Sequence, residues 1–227
     1  MDPAAAISAE ACEDVARILR EVIGLDCATV GRGSLACAVA ERMRASGTGS
    51  AGEYARLLAR SPEELDALIE LVVVPETWFF RDREPFAFLS GFIRSEWKAR
   101  RPARPMRLLS APCATGEEPY SIAMVCLESG LAQADFSVDA VDINGAFLER
   151  ARRASYGRNS FRSAGPGAFA RYFSFADGCY TVREEARRQV RFLRANIAAP
   201  ASLPLQGPYD AVFCRNLMIY LHDDARA

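Results

Sequence analysis

Arg107-Leu108-Leu109-Ser110, continued by Ala111-Pro112-Cys113-Ala114-Thr115-Gly116-Glu117-Glu118-Pro119-Tyr120, is the stretch on which the fold is decided. The first four residues read as a short buried strand bounded by turn residues, and a helix is predicted from about Glu117 to Ser129. Phe136 to Ile143 reads as a second strand, followed by a helix through Leu148 and Ala151. Strand, turn, helix and strand within about thirty-five residues make a right-handed βαβ unit of a parallel sheet. Two more strands are expected at Gln189 to Asn196 and Tyr209 to Cys214. Between the second and third lie Tyr172-Phe173-Ser174-Phe175 and Cys179-Tyr180-Thr181-Val182, around Asp177-Gly178. These alternating runs flanking an Asp-Gly pair predict a β-hairpin inserted into the α/β domain.

Upstream, the grammar is helical. Val15, Ile18, Leu19 and Val22 form one apolar stripe, with Gly24 where a left-handed stop is wanted. Leu35, Val39 and Met43 form a second, and Tyr54, Leu57 and Leu58 a short third. Ser61-Pro62-Glu63-Glu64 predicts a capping box opening a helix that faces a core with Leu65, Leu68, Ile69 and Val72. Pro75 breaks that pattern, and Phe86, Leu89, Ile93 and Trp97 mark one more helix. The expected organisation is a helical N-terminal domain over residues 1–74, a connecting segment and helix over 75–106, and an α/β domain over 107–227 with its hairpin at about 172–182.

Composition narrows the chemistry. The 227 residues are 50% apolar and 25% charged, as in ordinary globular proteins. With 28 basic against 29 acidic side chains, the balance gives no reason to expect a nucleic-acid partner. Arg100, Arg101, Arg104 and Arg107 make a local basic run, but prolines break it and no stacking aromatics are interleaved. Seven cysteines without C-x-x-C spacing argue against a disulfide framework or a zinc ribbon, and no metal is expected. No apolar run approaches the roughly 20 residues of a membrane span, and the acidic N-terminus lacks a signal-peptide pattern, so a cytoplasmic location is expected. His222 is the single histidine, so catalysis cannot rest on a multi-histidine metal site; it is read as a surface residue.

Ligands of open α/β sheets bind beyond the carboxyl ends of the strands. The turn after the first strand holds one glycine, not the G-x-G-x-x-G of a dinucleotide site, which argues against a dehydrogenase. Glu117 and Glu118 at the helix start would repel a pyrophosphate and favour a cationic ligand, or they serve only the helix dipole. Asp142 at the end of the second strand is placed to accept both ribose hydroxyls of an adenosine. An adenosine-holding acid beside an acidic turn suits S-adenosylmethionine, whose sulfonium and amino groups are positive. Cys113 is read as a small packing residue, and Trp78, Phe79 and Phe80 as core or cofactor-stacking aromatics.

Four segments in order carry a resemblance: Pro75-Glu76-Thr77-Trp78-Phe79-Phe80-Arg81-Asp82, Ser110 to Ser121, Asp142-Ile143-Asn144, and Cys214-Arg215-Asn216-Leu217-Met218-Ile219-Tyr220. They resemble the signature segments of the CheR family, S-adenosylmethionine-dependent methyltransferases that act on glutamates of chemoreceptors, and the Pro-Glu-Thr-Trp start is similar to its WspC-like branch. The resemblance implies a Rossmann-like class I methyltransferase sheet with a small all-helical N-terminal domain. It implies that Thr77 and Arg81 lie at the cofactor, that Glu117 meets the methionine amino group and Asp142 the ribose. Asn196 and Ile197 would meet the adenine, and Arg215 and Asn216 the remaining wall; Arg81 is also the implied contact for the incoming carboxylate. The implied product is S-adenosylhomocysteine and the implied partner a methyl-accepting chemoreceptor-like protein.

Such a transfer needs no histidine, because a glutamate with an ordinary pKa of about 4.3 is already an ionised nucleophile at neutral pH. A non-catalytic module binding the cofactor or a receptor is the alternative. Pro75 stands where many family members carry asparagine, and only Ala176-Asp177-Gly178 joins the hairpin strands, so no capture of a receptor tail by strand addition is expected. Arg32, Arg42 and Arg44 are candidates for a basic face toward an acidic receptor helix. A complete sheet of this kind has further strands after the fourth. The reading therefore expects a C-terminally incomplete sheet, weakened catalysis and a tendency to self-associate through the raw edge.

Overall fold

Helix α1 (Ala9–Ile23) buries Val15, Leu19 and Ile23, a run of i+4 steps, while Val22 is 41% exposed. The stripe expected through Val22 therefore turns one residue later. Gly24 ends the helix at φ +70°, its N–H reaching the carbonyl of Arg20 at 3.0 Å. The computed structural model describes residues 9–100, 103–162, 166–199, 203–205 and 207–226. Its contacts form two compact units, one of residues 1–74, 196–203 and 215–227, the other of 75–195 and 204–214.

In the first unit, α1 is followed by α2 (Cys27–Val30), α3 (Arg32–Ser46), α4 (Ala51–Leu58) and α5 (Pro62–Val72). The 215–226 segment groups here because Leu25 and Leu221 form an antiparallel bridge, with Asp26 N–H donating to Tyr220 O at 2.8 Å and His222 N–H to Gly24 O at 3.0 Å. A Cβ on Gly24 would lie 2.7 Å from that of Ala225. His222 is partly buried, with 16% of its side chain exposed. The reciprocal capping box is formed by Ser50 and Glu53 at α4. At α5, Ser61 Oγ accepts from Glu64 N–H, but the Glu64 carboxylate turns away to accept two bonds from Arg42, at 2.8 and 2.7 Å, and one from Tyr54 at 3.0 Å. That bidentate pairing takes Arg42 out of the basic face anticipated on α3. Arg32 and Arg44 are exposed.

The second unit opens with α6 (Arg83–Phe92), which widens into a π-helical turn at Ile93–Trp97 and ends in α7 (Lys98–Arg100). Strands β1 (Met106–Ser110) and β2 (Phe136–Asp142) are joined through α8 (Glu117–Glu128), and α9 (Gly145–Arg153) follows β2. Strand β3 (Ser155–Tyr156), hairpin strands β4 (Phe173–Ala176) and β5 (Cys179–Val182), α10 (Glu184–Arg187), and then β6 (Val190–Arg194) and β7 (Ala211–Phe213) follow. The parallel sheet has the order β6-β2-β1-β7, with Leu109 paired to Asp139 and Val212, and Asp139 to Arg191. Numbered along the chain its strands run third, second, first, fourth, so the strand order reverses between β1 and β7, and the carboxyl ends of the strands there are where such a sheet binds its ligand.

The hairpin forms, with Asp177 at φ +51° and Gly178 at +76°, the left-handed pair a two-residue turn requires. It also pairs with β3 to make a three-stranded antiparallel sheet, β3-β5-β4. The main core lies between α6, α8 and the parallel sheet and includes Leu89, Ile93, Met106, Leu108, Ile122, Met124 and Val138. The basic run is spent structurally: Arg100 pairs with Glu96, Arg104 donates two 2.7 Å bonds to Asp210, and the Arg107 guanidinium lies 4.9 Å from the Tyr209 ring; Arg101 is outside the described residues. No described helix is long and apolar enough to cross a membrane, and no metal-ligating cluster occurs among the described residues.

Candidate functional site

The turn from Ala111 to Gly116 is tied to both neighbouring strands. Ala111 N–H donates to Phe213 O at 2.9 Å and Cys113 N–H to Val141 O at 2.8 Å. Ala114 at φ +45° and Gly116 at +97° reverse the chain so that α8 can start immediately. Gly116 is required twice over, because a Cβ there would meet Ala151 Cβ and the Tyr156 hydroxyl, each at 2.8 Å. Cys113 is buried, and burial raises its thiol well above 9.0, which makes it a packing residue rather than a thiolate.

This turn runs between two buried acids. Asp142, 3% exposed at the end of β2, accepts Ala114 N–H at 2.8 Å on one oxygen and Asn144 N–H at 2.9 Å on the other. Glu117, 2% exposed at the start of α8, accepts the hydroxyls of Thr115 at 2.7 Å and Ser160 at 2.9 Å. Both carboxylates are held by neutral donors. Burial raises each pKa above its ordinary value, and these hydrogen bonds pull it back only in part. Arg150 offsets the shift at Glu117 least. Two buried carboxylates, each held by hydroxyl or backbone N–H donors, thus flank one glycine turn. Glu118 is different: it accepts the Ser110 hydroxyl at 2.7 Å and so braces α8 against β1.

The segment before α6 approaches Glu117 through two serines. Phe79 N–H donates to Ser160 O at 2.8 Å, and Phe80 N–H to Ser121 Oγ at 3.0 Å. The Phe79 ring is core, 4.9 Å from Tyr156 and Phe161 and 5.0 Å from Phe173. Phe80 stacks on Phe169 at 4.0 Å, and Phe80 and Asp82 hold left-handed φ values of 56° and 51°, a strained conformation for such residues. Arg81 between them donates to the carbonyl of Glu76 and lies over the Trp78 ring at 4.4 Å, where the Arg162 guanidinium also packs at 3.8 Å. Its Nε is buried without a hydrogen-bond partner, Asp82 Oδ2 being 3.8 Å away.

Of the eight candidate site residues, Thr77, Arg81, Glu117 and Asp142 fall in this unit; Asn196, Ile197, Arg215 and Asn216 fall in the other. Thr77 is half-buried beside Trp78 in the chain. Asn196 has its amide engaged, Nδ2 donating to Val22 O at 2.6 Å and Oδ1 accepting Ala198 N–H at 3.0 Å. Asn216 is exposed at φ +58°. Thr115, Ser121 and Ser160 were not foreseen. Thr115 stands in the quoted turn, whereas Ser160 lies in a polar stretch with no pattern around it.

Residues 75–227 match the family model described as CheR methyltransferase, SAM binding domain, and residues 10–73 match that described as CheR methyltransferase, all-alpha domain. The chain is 46% identical over 204 residues to the "Probable biofilm formation methyltransferase WspC" of Pseudomonas aeruginosa, covering 90% of this chain and 48% of that protein. It is 36% identical to the "Chemotaxis protein methyltransferase 2" of Vibrio cholerae, covering 76% of this chain and 61% of the other. It is also 36% identical to the "Chemotaxis protein methyltransferase" of Escherichia coli, covering 79% and 63%. It thus spans about half the length of the WspC relative. A parallel sheet reversing between β1 and β7, an acidic first turn and two matching family models leave one assignment: this chain belongs to the CheR methyltransferase family and carries its SAM-binding domain.

Proposed function

We propose that the protein transfers a methyl group from S-adenosylmethionine to glutamate side chains of a chemoreceptor-like signalling protein in the cytoplasm. The observation that carries this reading is the pair of buried carboxylates, Glu117 and Asp142, satisfied by neutral donors on either side of one glycine turn. Such a pair fits a ligand with a cationic amino acid end and a ribose. Glu117 accepts the ammonium and Asp142 the ribose hydroxyls, with Thr77 and Arg81 beside them. Asn196, Ile197, Arg215 and Asn216 keep in this proposal the cofactor roles that the family resemblance implies, and a domain boundary at 74/75 accompanies it. The names of the relatives support the reaction class and the kind of partner.

When bound, S-adenosylmethionine supplies an electrophilic methyl on a sulfonium. The protein's share is positioning, which for two well-oriented groups supplies a barrier reduction of about 7–11 kcal/mol. The acceptor carboxylate arrives ionised, so no side chain has to remove a proton. In this proposal Arg81, with 15% of its side chain exposed, orients that carboxylate.

The test is calorimetry with S-adenosylhomocysteine, followed by transfer of labelled methyl to receptor-bearing membranes. Base-labile methyl esters on glutamates are the expected product. Binding without transfer would instead support a regulatory module, and failure to bind would end the reading.

Affinity should also depend on pH in a defined direction. Glu117 and Asp142 must be ionised to meet their ligand, and their pKa values lie above the ordinary 4.5 and 3.8. Affinity for S-adenosylhomocysteine should therefore fall on acidification sooner than ordinary carboxylates would predict. Linkage gives the companion sign. A raised folded-state pKa contributes stability that is present below the unfolded pKa and is lost as pH rises through the folded value. The free protein thus bears a charge-burial penalty at pH 7, and the ligand-induced rise in Tm should be larger at pH 7 than at about pH 5. A rise independent of pH would contradict this.

A further inference from the structure

Two serines bridge Glu117 to the segment that carries Arg81, and they do so differently. Ser121, one turn along α8, donates to the Glu117 carbonyl at 2.6 Å and accepts Phe80 N–H at 3.0 Å, a link from backbone to backbone. Ser160, 6% exposed in the 3-10 turn Arg158–Phe161, donates its hydroxyl to Glu117 Oε1 at 2.9 Å, while its own carbonyl accepts Phe79 N–H at 2.8 Å. Of the two, it is Ser160 that ends on the carboxylate. Resting on the reading of Glu117 as the acid that meets the cofactor's ammonium, we propose that Ser160 is a positioning residue. It ties the occupancy of Glu117 to the geometry of the Trp78–Asp82 segment, and so to Arg81.

The physical route is short. A cation drawn to Glu117 fixes the direction of its two oxygens, and the Ser160 hydroxyl must follow Oε1 to keep its bond. Ser160 is tethered at three points, its N–H on Gly157 O at 3.2 Å, its carbonyl on Phe79 and its hydroxyl on Glu117, so a hydroxyl anchored on a fixed carboxylate steadies the turn that holds Phe79. Phe79 is in turn wedged among Tyr156, Phe161 and Phe173, and the left-handed φ values at Phe80 and Asp82 leave little slack on either side of Arg81. Binding at Glu117 therefore sets the guanidinium that receives the acceptor carboxylate. Thr115 provides the contrast: its hydroxyl donates to Glu117 Oε2 at 2.7 Å, yet Thr115 makes no bond to Phe79 or Phe80.

The experiment uses the full chain with S-adenosylhomocysteine as the probe, combining amide hydrogen exchange with calorimetric titration across pH. In the unmodified protein the probe should slow exchange at Phe79 by about tenfold, and also at Ala114 and Asn144, whose N–H groups sit on Asp142. Ser160→Ala should still bind, should move the pH at which affinity is lost upward by about one unit, and should keep the slowing at Ala114 and Asn144 but lose it at Phe79. Thr115→Ala removes a donor from the same carboxylate, so it should show a similar pH displacement with the Phe79 slowing intact. Phe79 slowing that survives in Ser160→Ala, or that disappears equally in Thr115→Ala, overturns the coupling while leaving the cofactor site standing. If the unmodified protein shows no slowing even at Ala114 and Asn144, the reading of Glu117 and Asp142 fails first, and the proposal falls with it.

Discussion

Gly116→Ala is expected to destabilise the second unit by about 3 kcal/mol or more and to abolish measurable cofactor binding. The residue sits at φ +97°, where a side chain costs about 1–2 kcal/mol from backbone strain alone. The added methyl would then meet Ala151 Cβ and the Tyr156 hydroxyl at 2.8 Å and Ala151 Cα at 3.2 Å. Neither neighbour yields easily. The Tyr156 hydroxyl is held by its bond to Thr115 O at 2.8 Å, and the Ala151 backbone by the Tyr120 hydroxyl at 3.0 Å. Overpacking of this kind costs about 1–3 kcal/mol beyond the strain. Urea unfolding should show a lower midpoint with an unchanged slope. Adding Tyr156→Phe removes one of the three obstructing atoms, so the double variant should cost less than the two singles summed. A loss below about 1 kcal/mol would show that the turn can reshape and is not the rigid element the site depends on.

That rigidity explains why so much of this region was legible beforehand. A buried apolar run, a single glycine, two acids and an amphipathic helix in sequence are local signals, and β1, α8 and β2 follow them. What escaped was non-local. Glu117 and Glu118 are indistinguishable as first-turn acids; the structure separates them because one faces Thr115 and Ser160 while the other faces Ser110. Strand β3 has two residues, too few for any periodicity to register, and it exists because β5 offers it an edge. Ser160 is forty-three positions from Glu117, and nothing around it marks it as a site residue. Glu64 fits a capping box by spacing, but Arg42 and Tyr54 outcompete a reach back to the α5 N-terminus, and their bonds hold its carboxyl below the ordinary 4.5. Likewise Leu25, Gly24 and the 220–222 backbone pair across nearly the whole length of the chain, so the grouping of the C-terminal segment with the helices required coordinates. The four-motif resemblance supplied the roles of Asn196, Ile197, Arg215 and Asn216, for which no periodicity or spacing argument was available.

Arg81→Ala should separate positioning from binding. The guanidinium rests on Trp78 and spends a bond on the Glu76 carbonyl, so it is preorganised rather than free, and its buried Nε lacks an acceptor among the described residues. The guanidinium also lies 3.8 Å from the carboxylates of Glu76 and Asp82, and its exposed remainder, 15% of the side chain, is what the proposed reaction offers to an incoming carboxylate. Removing it should lower the rate of methyl transfer by about 10²–10³-fold, the scale for loss of one oriented electrostatic contact. Affinity for S-adenosylhomocysteine should change only several-fold, because Glu117 and Asp142 remain. Arg81→Lys should not rescue the rate, since a strongly hydrated ammonium cannot reproduce the planar fork. The measurement is a split one, with calorimetric affinity on one side and single-turnover methyl transfer on the other. If affinity collapses while the single-turnover rate at saturating cofactor holds, Arg81 belongs to the cofactor's cradle alone. The acceptor carboxylate would then have to be oriented by another cation, and Arg162, already packed on the same indole ring, is the next to test.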